Sequence, residues 1–126
     1  MCFIIDKDNP NGRIAEKDIM CYKTLYSYIN TQLNARIFRS LFFDFRYVEN
    51  ELYELEKPKA LVNENGLINR GFHSFTKVNT ALNGLFAERV LVQCIIPKGS
   101  EYYVNNHNNE YVSNKIIIKK LLIYKQ

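Results

Sequence analysis

The sequence has no tryptophan, no Cys-x-x-Cys pair and no long apolar run. A membrane-spanning helix needs 18 or more apolar residues, and no segment reaches that length. Residues 1–9 (MCFIIDKDN) have no basic segment before their short apolar run, so they do not resemble a signal peptide. We therefore expect a cytoplasmic protein with no membrane partner.

The three cysteines, Cys2, Cys21 and Cys94, are odd in number and widely spaced. This spacing excludes a disulfide framework and does not fit a zinc site, so no metal is predicted. Cys21 and Cys94 lie in apolar, strand-like runs, where a thiol behaves as a small buried hydrophobic side chain. A reducing compartment fits this use of cysteine best.

The composition is that of a folded protein, with 47% hydrophobic residues, nine tyrosines and eight phenylalanines in 126 residues. This length predicts a single domain over residues 1–126. The net charge of +4 is mild. It permits an acidic protein or RNA as a partner without requiring either one.

Several segments read as strands because they are apolar, aromatic or alternating. We predict extended segments at residues 1–6, 18–25, 41–47, 72–75, 90–96, 102–104 and 115–124. Turns are expected at residues 8–12 and 65–66, where Asn-Gly favours a positive φ. Residues 105–109 (NNHNN) read as a polar loop, in which His107 is solvated.

Two segments have helical spacing. Apolar residues recur every four positions over residues 27–40, and Val78, Leu82 and Leu85 form one stripe over residues 76–86. Ser74 or Thr76 is a candidate N-cap for the second helix. The prediction is an α+β fold, with a bent or split antiparallel sheet and one or two packed helices.

Five motifs occur in a fixed order along most of the chain. They are Tyr22-Lys23, an aromatic segment at residues 40–47, GFHSF at 71–75, IPKGSEYY at 96–103 and SNKIII at 113–118. In this order the motifs resemble those of a group of small, largely uncharacterised phage and bacterial proteins. The resemblance implies a phage or mobile-element origin and carries no assigned activity.

The same motifs are more distantly similar to those of mono-ADP-ribosyltransferases, which bind NAD on a split sheet. Lys23 stands where that family has an NAD-gripping Arg, and FHSFT at residues 72–76 stands where it has a Ser-Thr-Ser strand. IPKGSEYYV at residues 96–104 is similar to the segment that follows the catalytic strand. The resemblance implies that Lys23, His73, Ser74 and Gln93 would contact NAD.

Two departures weaken the enzymatic interpretation. Gln93 occupies the position of the catalytic Glu, and an amide can neither act as a base nor stabilise a developing cation by charge. Lys23 lacks the planar fork of Arg. Glu88 or Glu101 would have to supply a displaced carboxylate, and the catalytic candidates are then His73, Ser74 and Glu101.

Each candidate also has a structural interpretation. His73 can bond a backbone carbonyl, Ser74 lacks the Gly-x-Ser-x-Gly elbow of a nucleophile, and the amide of Gln93 can be satisfied within the core. Lysines 115, 119, 120 and 125 form either a partner-binding basic edge or a guard against strand-on-strand aggregation.

Two functions remain open. The first is a non-enzymatic binding protein that occludes a host protein or ribonucleoprotein complex, for example as an anti-CRISPR-like inhibitor of host defence. The second is an NAD-dependent mono-ADP-ribosyltransferase with a displaced or degenerate catalytic Glu.

Overall fold

Antiparallel strand pairing organises the chain. The computed structural model describes residues 3–32, 34–40, 46–55, 67–68, 71–83, 85 and 89–124. Its elements are β1 (Phe3–Ile4), β2 (Arg13–Ile14), β3 (Ile19–Asn30), β4 (Ala35–Arg39), β5 (Arg46–Val48), β6 (Leu52–Glu54), β7 (Leu67–Ile68), β8 (Phe72–Phe75), α1 (Val78–Leu82), β9 (Arg89–Ile96), β10 (Glu101–Asn105), β11 (Glu110–Ser113) and β12 (Lys115–Tyr124).

Most of these strands belong to one sheet with the order β2-β10-β11-β8-β3-β9-β12-β6. The long strand β3 is its centre. Over Ile19–Tyr26 it pairs with β9, and over its last residues, Tyr26–Asn30, it pairs with β4, which in turn pairs with β5. The first and seventh strands form a separate two-stranded sheet.

Side-chain alternation gives β3 two distinct faces. Cys21, Lys23 and Leu25 point to what we call the inner face, where all three are buried. Met20 and Tyr22 point to the outer face and are exposed and half-buried respectively.

The inner face carries the main hydrophobic core, because the sheet curls around it. Its buried members are Cys21, Leu25, Phe38, Tyr47, Phe72, Val90, Val92, Cys94, Ile96, Ile116 and Ile118. The ring of Tyr47 on β5 packs edge-on against Tyr53 on β6, with centroids 5.2 Å apart. The Tyr53 hydroxyl also accepts the Val48 N–H at 2.6 Å. These contacts bring the β4–β5 branch of the sheet against β6, over the core.

The outer face is covered in two places. The helix α1 lies against β3, where the Thr24 hydroxyl donates to the Ala81 carbonyl at 2.9 Å and Ala81 is fully buried. At the β11 end, a second cluster of Phe3, Ile68 and Val112 joins the small β1–β7 sheet to the large one.

This architecture contradicts the predicted α+β fold. Every strand pairing in the described ranges is antiparallel, and α1, with five residues, is the one helix within them. The split, bent sheet is present, but the packed helical layer is not. The predicted helix over residues 27–40 is a β3–β4 hairpin, turned at Asn34 with φ 50°.

The second predicted helix is confirmed only in its middle, at Val78–Leu82. Its N-cap is Lys77 and makes no side-chain capping bond, so neither Ser74 nor Thr76 caps it. Predicted strands at 18–25, 72–75, 90–96, 102–104 and 115–124 are confirmed. Residues 41–45 and the turn predicted at residues 65–66 lie outside the described residues.

Gly71 permits the close approach of β8 to β11. Its φ is +141°, and a Cβ built on it would lie 2.3 Å from Cγ2 of the buried Val112. Gly99 also has a positive φ, +89°, but a Cβ there would meet no atom within 4 Å. Both positions impose backbone strain on an L-residue, and only Gly71 adds a steric clash.

We predict that Gly71→Ala lowers the free energy of unfolding by about 2–4 kcal/mol, because strain and overpacking add. Gly99→Ala is the matched control and should cost about 1 kcal/mol, from strain alone. Urea unfolding followed by circular dichroism measures both. Equal losses in the two variants would contradict the close packing of β8 on β11.

Candidate functional site

The hydrophobic core of the inner face contains polar groups that such cores usually exclude. Cys21, Lys23, Ser74 and Cys94 are all buried there, and we call these four residues the inner polar cluster. The third strand supplies two of them at alternate positions, and β9 supplies Cys94 directly opposite Cys21. Ser74 comes from β8, the neighbour of β3 on its other side.

Lys23 lies at the split between β3 and β8. These two strands share one described residue pair, Tyr22 with Phe75. Beyond it, the Lys23 ammonium donates to the His73 carbonyl and lies 5.8 Å from the centroid of the Tyr47 ring. Burial lowers the pKa of Lys23, and the neighbouring Cys94 and Cys21 thiols oppose that effect.

The two core thiols have unequal acidity. Burial disfavours ionisation of Cys21, but hydrogen bonds from Cys94 and Ser74 and the charge of Lys23 outweigh it and lower the pKa of Cys21. Burial and Cys21 raise the pKa of Cys94 well above its ordinary value. Ionisation of the pair is therefore easier at Cys21 than at Cys94.

His73 and Ser74 carry buried polar atoms that have no hydrogen-bond partner of ordinary geometry among the described residues, namely His73 Nδ1 and Ser74 Oγ. Successive strand residues alternate, so the two side chains point to opposite faces of β8. A Ser74 nucleophile with His73 as its base would need both on one face. Burial, followed by the charge of Lys23, lowers the pKa of His73 to about 4.

The remaining residues predicted to contact NAD lie elsewhere. Gln93 is the cross-strand partner of Tyr22, so its side chain is on the outer face. Lys23 points to the inner face, on the other side of the sheet. The Gln93 amide lies against the Met20 sulfur. Glu101 is on β10, which is separated from β3 by β11 and β8. Glu88 lies outside the described residues. The structure thus brings Lys23 and Ser74 together and separates them from Gln93 and Glu101.

An apolar row crosses the outer face of four adjacent strands. Strand register places Leu52, Ile117, Ile95 and Met20 side by side, and we call them the outer row. Met20 is 53% exposed and Leu52 is 52% exposed, while the two isoleucines between them are half-buried. Sequence analysis missed this row, because its members come from four separate segments.

The predicted basic edge divides into two parts. Lys115 lies 3.9 Å from Glu54 in an ion pair on the outer face. Lys119 and Lys120 are exposed and lie on the part of β12 beyond Ile117, where its pairing with β6 has ended. Neither lysine makes an ion pair within the described parts of the chain. Lys120 is opposite Gln93, adjacent to the outer row. Lys125 lies outside the described residues.

A second polar cluster holds two loops together. Asp6 is buried and accepts the backbone N–H groups of Asp8, at 2.9 Å, and Asn106, at 3.1 Å. The bond from Asp8 is the main cause of the lowered pKa of Asp6. His107 Nε2 lies 3.0 Å from an Asp8 oxygen and 3.4 Å from an Asp6 oxygen. These contacts fix the loop after β1 against the turn between β10 and β11.

Comparisons with protein-family models, curated proteins and solved structures found no match to this chain. The resemblances stated from the motifs therefore remain predictions. In the described part of the chain, no helix has both the length and the apolar character needed to cross a bilayer.

We predict that His73 makes the protein acid-sensitive. Its pKa is about 4 in the folded state, against 6.5 for an ordinary histidine, so the unfolded state binds more protons between those pH values. Stability is therefore lost as pH falls from 6.5 towards 4, by up to about 3 kcal/mol.

Urea unfolding of His73→Gln across pH 4–7 should give a smaller loss than in the unmodified protein. Ile29→Gln, at an exposed position without a titratable group, is the control and should keep the original slope. A His73→Gln profile parallel to that of the unmodified protein would refute the assignment.

Proposed function

We propose that this chain is a small non-enzymatic protein that binds a partner protein through the outer row and so occludes a surface of that partner. The observation that carries the proposal is the continuous apolar row of Leu52, Ile117, Ile95 and Met20. Exposed apolar surface that is contiguous and rimmed by polar groups marks interaction sites.

The arrangement of the row suits docking. Its members project from four hydrogen-bonded strands, so the backbone beneath them is held in place before binding. A preorganised surface loses less conformational entropy when a partner docks. The polar side chains of Gln93 and Tyr22 follow the row on the same face and supply hydrogen-bonding groups at its border.

The charges beside the row indicate what partner fits. Lys120 borders it, Lys119 is exposed nearby, and the sequence carries a net charge of +4. We propose a partner protein that presents apolar side chains with carboxylates at their rim. The motif resemblance to phage proteins suggests a host protein or ribonucleoprotein complex, such as a defence complex, as the source of this surface.

The placement of the candidate NAD contacts favours binding over catalysis. A transferase pocket needs Lys23, Ser74 and the residue at position 93 on one surface, whereas Gln93 lies on the face opposite the other two. The ammonium of Lys23 is also engaged by the His73 carbonyl within the core. We propose that NAD is not a ligand.

The binding test compares three tagged proteins in bacterial lysate after chemical crosslinking and quantitative mass spectrometry. These are the unmodified chain, Met20→Lys combined with Leu52→Lys, and Ile29→Lys. Ile29 is the matched control, because it is an apolar residue of β3 with 62% exposure and lies outside the row. Thermal unfolding checks that all three are folded.

The proposal predicts a protein that the unmodified chain and Ile29→Lys capture and that the double variant loses. Loss of the two apolar contacts at the ends of the row should cost about 2 kcal/mol or more, roughly a 30-fold loss of affinity. Equal capture by all three proteins would remove the outer row as the docking surface. Capture abolished by nuclease would assign RNA as the ligand instead, and a self-dimer broken by Met20→Lys would assign a second copy.

A thermal melt with millimolar NAD tests the alternative. We predict no shift, whereas NAD at 100 times its dissociation constant would stabilise the protein by about 2.7 kcal/mol, a shift of several degrees. A clear shift would contradict the non-enzymatic proposal.

A further inference from the structure

Cys21 and Cys94 form a cross-strand pair in the middle of the inner core. They are direct partners in the antiparallel register of β3 and β9, and both side chains point inward. Direct partners in such a ladder have Cα atoms about 4.5–5.5 Å apart, within the 4.4–6.8 Å range that a disulfide requires. The thiols are free and close enough to hydrogen-bond each other.

The surroundings of the pair distinguish the two sulfurs. The Lys23 charge acts on both sulfurs, whereas the Ser74 hydroxyl is a neighbour of Cys21 and favours its thiolate. A thiolate is the nucleophile in thiol oxidation, which makes Cys21 the attacking group and Cys94 the resolving thiol.

We propose that Cys21 and Cys94 are a redox-active pair that a small peroxide converts into a cross-strand disulfide. In the first step the Cys21 thiolate attacks a peroxide oxygen, which forms a sulfenic acid and releases the alcohol after protonation. In the second, Cys94 attacks the Cys21 sulfur and water leaves. In sum, two thiols and one hydroperoxide give one disulfide, one alcohol and one water, and the peroxide is the two-electron acceptor.

The split between β3 and β8 gives the oxidant its route. Both sulfurs are fully buried, so the core must open locally. At the split, opening requires loss of the Tyr22–Phe75 pair and of the Lys23 bond to the His73 carbonyl. Few contacts hold the strands there, and local openings of this kind occur without global unfolding. A small peroxide needs a smaller opening than a peptide disulfide would, so it is the oxidant that the proposal names.

The first experiment uses the unmodified protein. It is treated with hydrogen peroxide, unfolded without reductant, and alkylated, and the thiols are counted by mass spectrometry. We expect the count to fall from three to one, with a peptide crosslink between Cys21 and Cys94 and Cys2 still alkylated. Dithiothreitol should restore all three. Three alkylated cysteines at peroxide concentrations that oxidise a thiol peptide would overturn the proposal.

The roles of the two sulfurs are tested separately. In Cys94→Ala, peroxide should leave a sulfenic acid on Cys21 that a cyclic dione traps, whereas in Cys21→Ala the dione should not label Cys94. Labelling of Cys94 alone would overturn the assignment of the attacking thiol.

Lys23 acts here as a positioning residue, through the charge that it places beside Cys21. Lys23→Met should slow disulfide formation about tenfold, because it removes a charge that stabilises the thiolate. Lys119→Met, at an exposed lysine, is the matched control and should react at the original rate. Equal rates in the three proteins would remove Lys23 from the mechanism. The crosslink measured in the unmodified chain does not depend on either variant.

Discussion

The register of β3 against β9 is the constraint on which the other features depend. Eight consecutive residue pairs join these strands, from Ile19 with Ile96 to Tyr26 with Arg89. Because side chains alternate, this register places two cysteines and a lysine in the core and leaves Met20 and Ile95 on the outside. A slip by one residue would exchange the faces. The inner polar cluster and the outer row are therefore two results of a single pairing.

The sequence predicted the strands better than it predicted the fold class. Alternating or continuously apolar segments such as residues 90–96 were identified correctly, because they are short, rich in β-branched residues and, at Pro97, bounded by a residue that ends a strand. The apolar spacing of four over residues 27–40 is different. Four is close to the helical repeat, but Ile29 and Ile37 lie on the two different strands of the hairpin, and its register places them on opposite faces. Asn34, which turns the hairpin with a positive φ, is the residue of this segment that indicates a turn, because asparagine adopts a positive φ more readily than most residues.

The site could be predicted only in part, for a related reason. The resemblance to mono-ADP-ribosyltransferases implied that Lys23 and Ser74 would contact one ligand, and the structure places both in one cluster of buried residues. The separation of Gln93 from them depends on which residue of β9 is opposite Tyr22. Pairing between distant segments leaves no local mark in a sequence. The same limitation concealed the Cys21–Cys94 pair and the outer row.

The long-range pairing also has a consequence for synthesis. Residues paired between β3 and β9 lie more than sixty positions apart. At about 5–20 residues per second, β3 leaves the ribosome roughly 3–15 s before its main partner. Until then β3 can pair with β4 and, later, at one residue pair with β8, and its core residues lack the cover that β9 provides. The nascent chain, rather than the finished protein, is the stage at which this sequence is most vulnerable to aggregation.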